Sequence, residues 1–178
     1  MQTLVDELPG DLTLEHHVLL HGRNRHPIYR RVLFGLVCVI PILALLDVFG
    51  QHATAETVNG AGATLEVEAA HNLRAGLLHQ LRMTVTATQD MDHPQFVLSP
   101  GWFEQNTENS IAPDPLEQSS SNGRVVLSYG PLKAGQKLTV WVDFQVNPVN
   151  VGRRTVNVEL TNGPRPVAFF KREINFFP

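Results

Sequence analysis

A chain of 178 residues carrying a net charge of −3 has room for one ordinary domain and a segment or two outside it, but not for two full domains. The charge provides no whole-chain positive excess with which to hold nucleic acid by counterion release. A single cysteine, Cys38, excludes a fold that depends on an internal disulfide, so burial and hydrogen bonding must hold the molecule together.

The N-terminal segment DLTLEHHVLLHG has a helix cap at Asp11 or Thr13 and a stop at Gly22, which predicts a short helix. His17 and His21, four residues apart, have a spacing that suits two imidazoles on one metal. No third ligand follows at a defined spacing, so the segment reads as a solvated or membrane-surface turn of helix rather than a metal site.

The run from Val32 to Phe49 contains thirteen Leu, Ile, Val and Phe residues and is about 27 Å long as a helix, close to the ~30 Å hydrocarbon core of a bilayer. The apolar residues outweigh Asp47, which lies near the end of the run where water is within reach. Pro41 is tolerated in a membrane span when neighbouring groups satisfy the freed carbonyl. Arg23, Arg25, Arg30 and Arg31 precede the run, whereas the first Lys or Arg after it is Arg74. The positive-inside rule therefore places the N-terminus in the cytoplasm of a cell (plasma) membrane and exports everything after about Gly50. Ala53-Thr54-Ala55 has the A-x-A form of a signal-peptidase site, which leaves cleavage after Ala55 as the competitor to an uncleaved signal anchor. The long segment before the apolar core and the generous distance from Leu46 to Ala55 favour the anchor. Gly35, Cys38 and Ala44 offer small residues against which a neighbouring helix could pack.

Beyond the span the hydrophobic period changes to two. In LRMTVTAT, Leu81, Met83, Val85 and Ala87 alternate with polar residues, and LTVWVDFQV and TVNVELT repeat the pattern, the signature of half-buried strands. Thr64 to Ala70, Gln95 to Leu98, Arg124 to Tyr129 and Val167 to Phe176 add four more, separated by Gly, Pro, Asn and Asp turn signals. These observations predict an all-β antiparallel sandwich of about seven strands, preceded by one transmembrane α-helix. The expected organisation is a cytoplasmic tail over 1–31, a transmembrane helix over 32–50, a linker over 51–62 and an extracytoplasmic sandwich over 63–178. Glu104 to Asn122, long, polar and Pro-containing, reads as a mobile loop.

The segment YGPLKAGQKLTVWVDFQVNPVNVGRRTVNVEL resembles part of the bacterial Ig-like surface domains, including the cell-adhesion-related CARDB type. Leu132 and Gly135 match the L-x-x-G that leads into a long strand, and Asn147 to Gly152 match the turn before the returning strand. The resemblance covers roughly the last third of the chain, implies a fold and supplies no active-site residues. A tail, one span and a single exported sandwich also resemble uncharacterised bacterial membrane proteins.

Three functional readings follow. The first is a non-enzymatic single-pass protein whose sandwich binds another membrane or envelope protein as an accessory or assembly subunit. It has no cofactor, and Arg124, Lys137, Arg153 and Arg154 are candidates for a basic patch that meets an acidic partner or anionic headgroups. The second is a glycan-binding surface module that uses Trp102 or Phe103, adjacent residues that point to opposite faces of an extended chain. The third is an exported metal-dependent hydrolase built on Asp90, Asp92 and His93, residue types that also serve turn geometry. Residues 50–123 carry nine acids against two bases and residues 124–178 carry eight bases against three acids.

Overall fold

The computed structural model describes residues 26–46 and 50–178, which belong to two units, one ending at Gly50 and the other running from Gln51 to Pro178. The tail helix with His17 and His21, and Asp47 in the apolar run, lie outside the described residues.

The first unit contains helix α1, His26–Leu45, 20 residues long, which at 1.5 Å per residue is about 30 Å. Its Ile28–Leu45 stretch has a mean hydropathy of 2.0 and is long and apolar enough to cross a membrane. The helix begins and ends earlier than the 32–50 span read from the sequence. Ile28 and Tyr29 continue the apolar run past Arg30 and Arg31, whose long side chains can carry their charges toward headgroups from within the helix. Pro41 sits inside the helix without ending it. Cys38 lies about 60° around the helix from Gly35, but Ala44, nine residues on, lies about 180° away. The three small residues do not share one face.

The second unit is an all-β sandwich. Its strands are β1 Ala53–Asn59, β2 Ala63–Ala70, β3 Asn72–Arg74, β4 Leu78–Ala87, β5 Pro94–Leu98, β6 Asn106–Ala112, β7 Glu117–Ser121, β8 Arg124–Ser128, β9 Lys137–Val146, β10 Gly152–Asn162 and β11 Arg165–Phe177. One sheet has the order β1-β2-β4-β9-β6, and the other β3-β11-β10-β5-β8-β7. Alternation fixes the register: Leu65, Val67, Leu81, Met83, Val85, Val140, Val142 and Phe144 of the first sheet, and Phe96, Leu98, Val156, Val158, Leu160, Phe170 and Ile174 of the second, form one buried core. A one-residue slip in any of these strands would turn its whole apolar row to solvent.

Each of the seven expected strands is present, and four more extend the sheets. The segment 51–62, read as a linker, contains β1, which pairs with β2 from Ala53↔Ala70 to Asn59↔Thr64. Glu104 to Asn122, read as a mobile loop, contains β6 and β7. One pairing departs from the antiparallel expectation: β3 runs parallel to β11.

Candidate functional site

Two turns meet at one end of the sandwich. The turn between β3 and β4 is tied to the end of β9 by Gly76 N–H donating to Val146 O at 3.0 Å and Val146 N–H donating to Leu77 O at 3.0 Å. The following β9–β10 turn, residues 147–151, is anchored by Asn150, which is fully buried and donates from Nδ2 to Gln105 O at 3.3 Å and Asn106 Oδ1 at 3.0 Å. Asn147 N–H adds a bond to Gln105 O at 2.9 Å. With Asn150 turned inward, its neighbours Val149 and Val151 point out, 69% and 56% exposed. The first turn repeats this inversion. His79 is buried and stacked on Phe144 with ring centroids 5.2 Å apart, while Leu77 and Leu78 are exposed. Burial lowers the His79 pKa to about 4, against a smaller opposing pull from Asp143.

The same end carries the start of β1, because Ala53 pairs with the last residue of β2, Ala70. β1 overhangs the core. Thr54, Glu56 and Val58 stand opposite the inward residues Ala69, Val67 and Leu65, yet Thr54 and Glu56 are exposed. Arg172, an inward-facing and buried residue of β11, seals this overhang. Its Nη1 donates to Thr54 O at 3.0 Å and to Ala69 O, and its Nη2 lies 3.3 Å from Glu56 Oε2. Its guanidinium also stacks over Phe170, 5.0 Å from the ring centroid. A charge this deep is tolerable only with such partners, and here they clip the two sheets together.

Trp102 is fully buried, so of the two adjacent rings it is the one that enters the core. The turn Pro100–Trp102 directs the indole inward, where Nε1–H donates to Asn157 O at 3.0 Å and the ring stacks near Phe144, 6.1 Å between centroids. Phe103 is half-buried and meets Phe144 edge-on at 5.6 Å. Exposed aromatic rings occur instead at Trp141 and Phe169, on the outer faces of the two sheets.

The four basic candidates do not converge. Arg124 pairs with Glu159, Arg153 lies 3.6 Å from Glu173, and Arg154 reaches Glu104 at 3.4 Å while its guanidinium lies over Phe176. Lys137 begins β9, at the far end of that strand from the β9–β10 turn that precedes Arg153 and Arg154. The acid-rich and base-rich halves instead interleave through Arg172–Glu56, Arg154–Glu104 and Lys133–Asp90. Asp90 shapes a turn: it accepts from Lys133 Nζ and from Ala134 N–H, both at 2.9 Å, and the Lys133 bond leads in holding its carboxyl below the ordinary range. Asp92 and His93 are exposed. Among the described residues no group of three or more His, Cys, Asp or Glu side chains is placed to hold a metal ion.

No family model matches the chain, and no curated protein matches it. Solved structures similar to it include AvmM, which catalyzes macrocyclization in alchivemycin A biosynthesis (6% identity, TM-score 0.43, over 72% of this chain and 90% of that one). Others are a Niemann-Pick type C2 protein from Japanese carpenter ant (10%, 0.40, 71% and 98%) and CaCohA2 from Clostridium acetobutylicum (11%, 0.42, 68% and 93%). Similarity at this level assigns no ligand or activity to this chain.

Proposed function

We propose that this chain is a non-enzymatic, single-pass membrane protein with a cytoplasmic N-terminus, whose exported Ig-like sandwich binds another membrane or envelope protein as an accessory or assembly subunit. The observation that carries the reading is the open edge of β1. Among the described residues four strands lie at sheet edges, β1, β6, β3 and β7. An edge strand presents unpaired N–H and C=O groups, and proteins normally blunt such edges with short strands, bulges, Pro or Lys. β3 has three residues, β6 has a register shift between Glu108 and Ser110 and is followed by Pro113, and β7 stops after five residues at the Asn122-Gly123 turn. β1 is neither short nor bulged and has no Pro or Lys: its seven residues, ATAETVN, pair with β2 without a break, and its one charge, Glu56, is met by Arg172 on the inner side. It is a ready template for strand addition by a partner, with main-chain bonds supplying affinity.

The same strand favours the uncleaved anchor. Cleavage after Ala55 would remove Ala53 to Ala55 from β1, and with them the Thr54 carbonyl that Arg172 holds.

A photo-crosslinking residue placed at Thr57 in the full-length chain, in cells, should yield one discrete crosslinked protein. The same residue at Ser119 on β7 should not, and Thr57→Lys should reduce co-purification of that protein while the sandwich stays folded. Recovery of only free monomer in several mild detergents, with no product specific to Thr57, would overturn the reading.

A further inference from the structure

We infer that the end of the sandwich formed by the β3–β4 and β9–β10 turns is a lipid-contacting surface that seats on the bilayer face. This rests on α1 crossing the membrane, one part of the proposed function, and is independent of any protein partner.

The polarity of this end is inverted. Asn150 and His79 are buried, while Leu77, Leu78, Val149 and Val151 face outward, Leu78 at 65% exposed. Single exposed apolar residues are ordinary on a soluble surface, but a group of them on two hydrogen-bonded turns marks a contact site. The side chains cannot turn in by a simple rotation, because the Asn150 and Val146 bonds fix both turns.

Covalent connection selects the occupant. Seven residues, 46–52, separate the last residue of α1 from the first of β1, and at ~3.3–3.6 Å each they span at most about 25 Å. Ala53 lies at the same end of the sheet as Leu78: β1 starts opposite the end of β2, and β4 extends past that point to its pair with Gln145 on β9. The connection from α1 therefore enters the sandwich at this end, and not at the opposite one. Arg74, exposed, and Arg153, exposed and 3.6 Å from the exposed Glu173, lie at this end beside the apolar tips, and basic side chains beside apolar ones fit anionic headgroups above acyl chains.

The test uses the full-length chain in the Cys38→Ala background, reconstituted into vesicles of phosphatidylcholine alone or with about one third phosphatidylglycerol. Nitroxides at Leu78→Cys, Val149→Cys, Ala134→Cys on a distant turn, and Val37→Cys within α1 are compared for collision with oxygen and with a polar nickel reagent. The inference expects the oxygen-to-nickel ratio at Leu78 and Val149 to exceed that at Ala134 severalfold, to be larger with the anionic lipid, and to fall at Val149 in Leu78→Glu. Tips as water-accessible as Ala134, while Val37 reports lipid, would overturn the inference and leave the membrane anchor standing. A water-accessible Val37 would remove both. Tips protected only where spin–spin broadening shows a second copy nearby would assign the surface to self-association instead and overturn the lipid reading.

Discussion

His79 occupies an inward position on β4 where the next three such residues are Leu81, Met83 and Val85. It can stay there only as the neutral imidazole. Its pKa in the fold, about 4, is below the ordinary 6.5, so as pH falls the unfolded chain takes up the proton first. The stability owed to the neutral form is complete above pH 6.5 and is lost progressively between pH 6.5 and pH 4, by roughly 3 kcal/mol. Chemical denaturation in detergent, followed by tryptophan fluorescence, should show the midpoint falling over that interval. His79→Phe, which keeps the stack on Phe144, should lose most of that dependence; an unchanged slope would show that other groups set it. The alternation of LRMTVTAT made β4 legible, but nothing in it marked His79 as interior. Nor did the adjacent Trp102 and Phe103 disclose which ring enters the core, because a turn at Pro100–Trp102 replaced the extended chain that the reading assumed.

The strands that the sequence showed clearly are those paired on both sides, and the four it did not show, β1, β3, β6 and β7, are the four edges. An interior strand faces the opposite sheet along its length and so writes a period of two in apolar residues. An edge strand overhangs the core and need not. β7, EQSSS, is exposed throughout, and only the Asn122-Gly123 pair, both at positive φ, signalled the hairpin to β8. β1 carries Thr54 and Glu56 where an interior strand would carry Leu or Val, because Arg172 supplies their inner contact across the gap between sheets. Arg172→Met should therefore loosen β1 selectively. It removes the bonds that the guanidinium donates to the Thr54 and Ala69 carbonyls, about 1.5–3 kcal/mol for a bond from a charged donor and less at the exposed Thr54. Hydrogen exchange should rise across Ala53 to Val58 and stay unchanged in β4 and β9; uniform acceleration would mean that Arg172 supports the whole core and not this edge.

At the scale of the molecule, opposite charges concentrated in two halves of the sequence become neighbours in space, and among the described residues Arg82, Arg124, Lys133, Arg153, Arg154 and Arg172 of the sandwich all form ion pairs within it. The compositional split therefore did not translate into a basic patch, since non-consecutive strands are adjacent in both sheets. What the sequence did carry to this scale was the order of parts: an apolar helix, a short connection and a sandwich. The inverted turns lie at the end of the second unit where β1 begins, and the open β1 edge runs from there. Both roles depend on the sandwich being outside the cell. The most direct measurement is the reaction of Ala134→Cys, in the Cys38→Ala background, with a membrane-impermeant maleimide added to intact cells. The account predicts full labelling without lysis; labelling only after the membrane is opened would put the sandwich in the cytoplasm and contradict it.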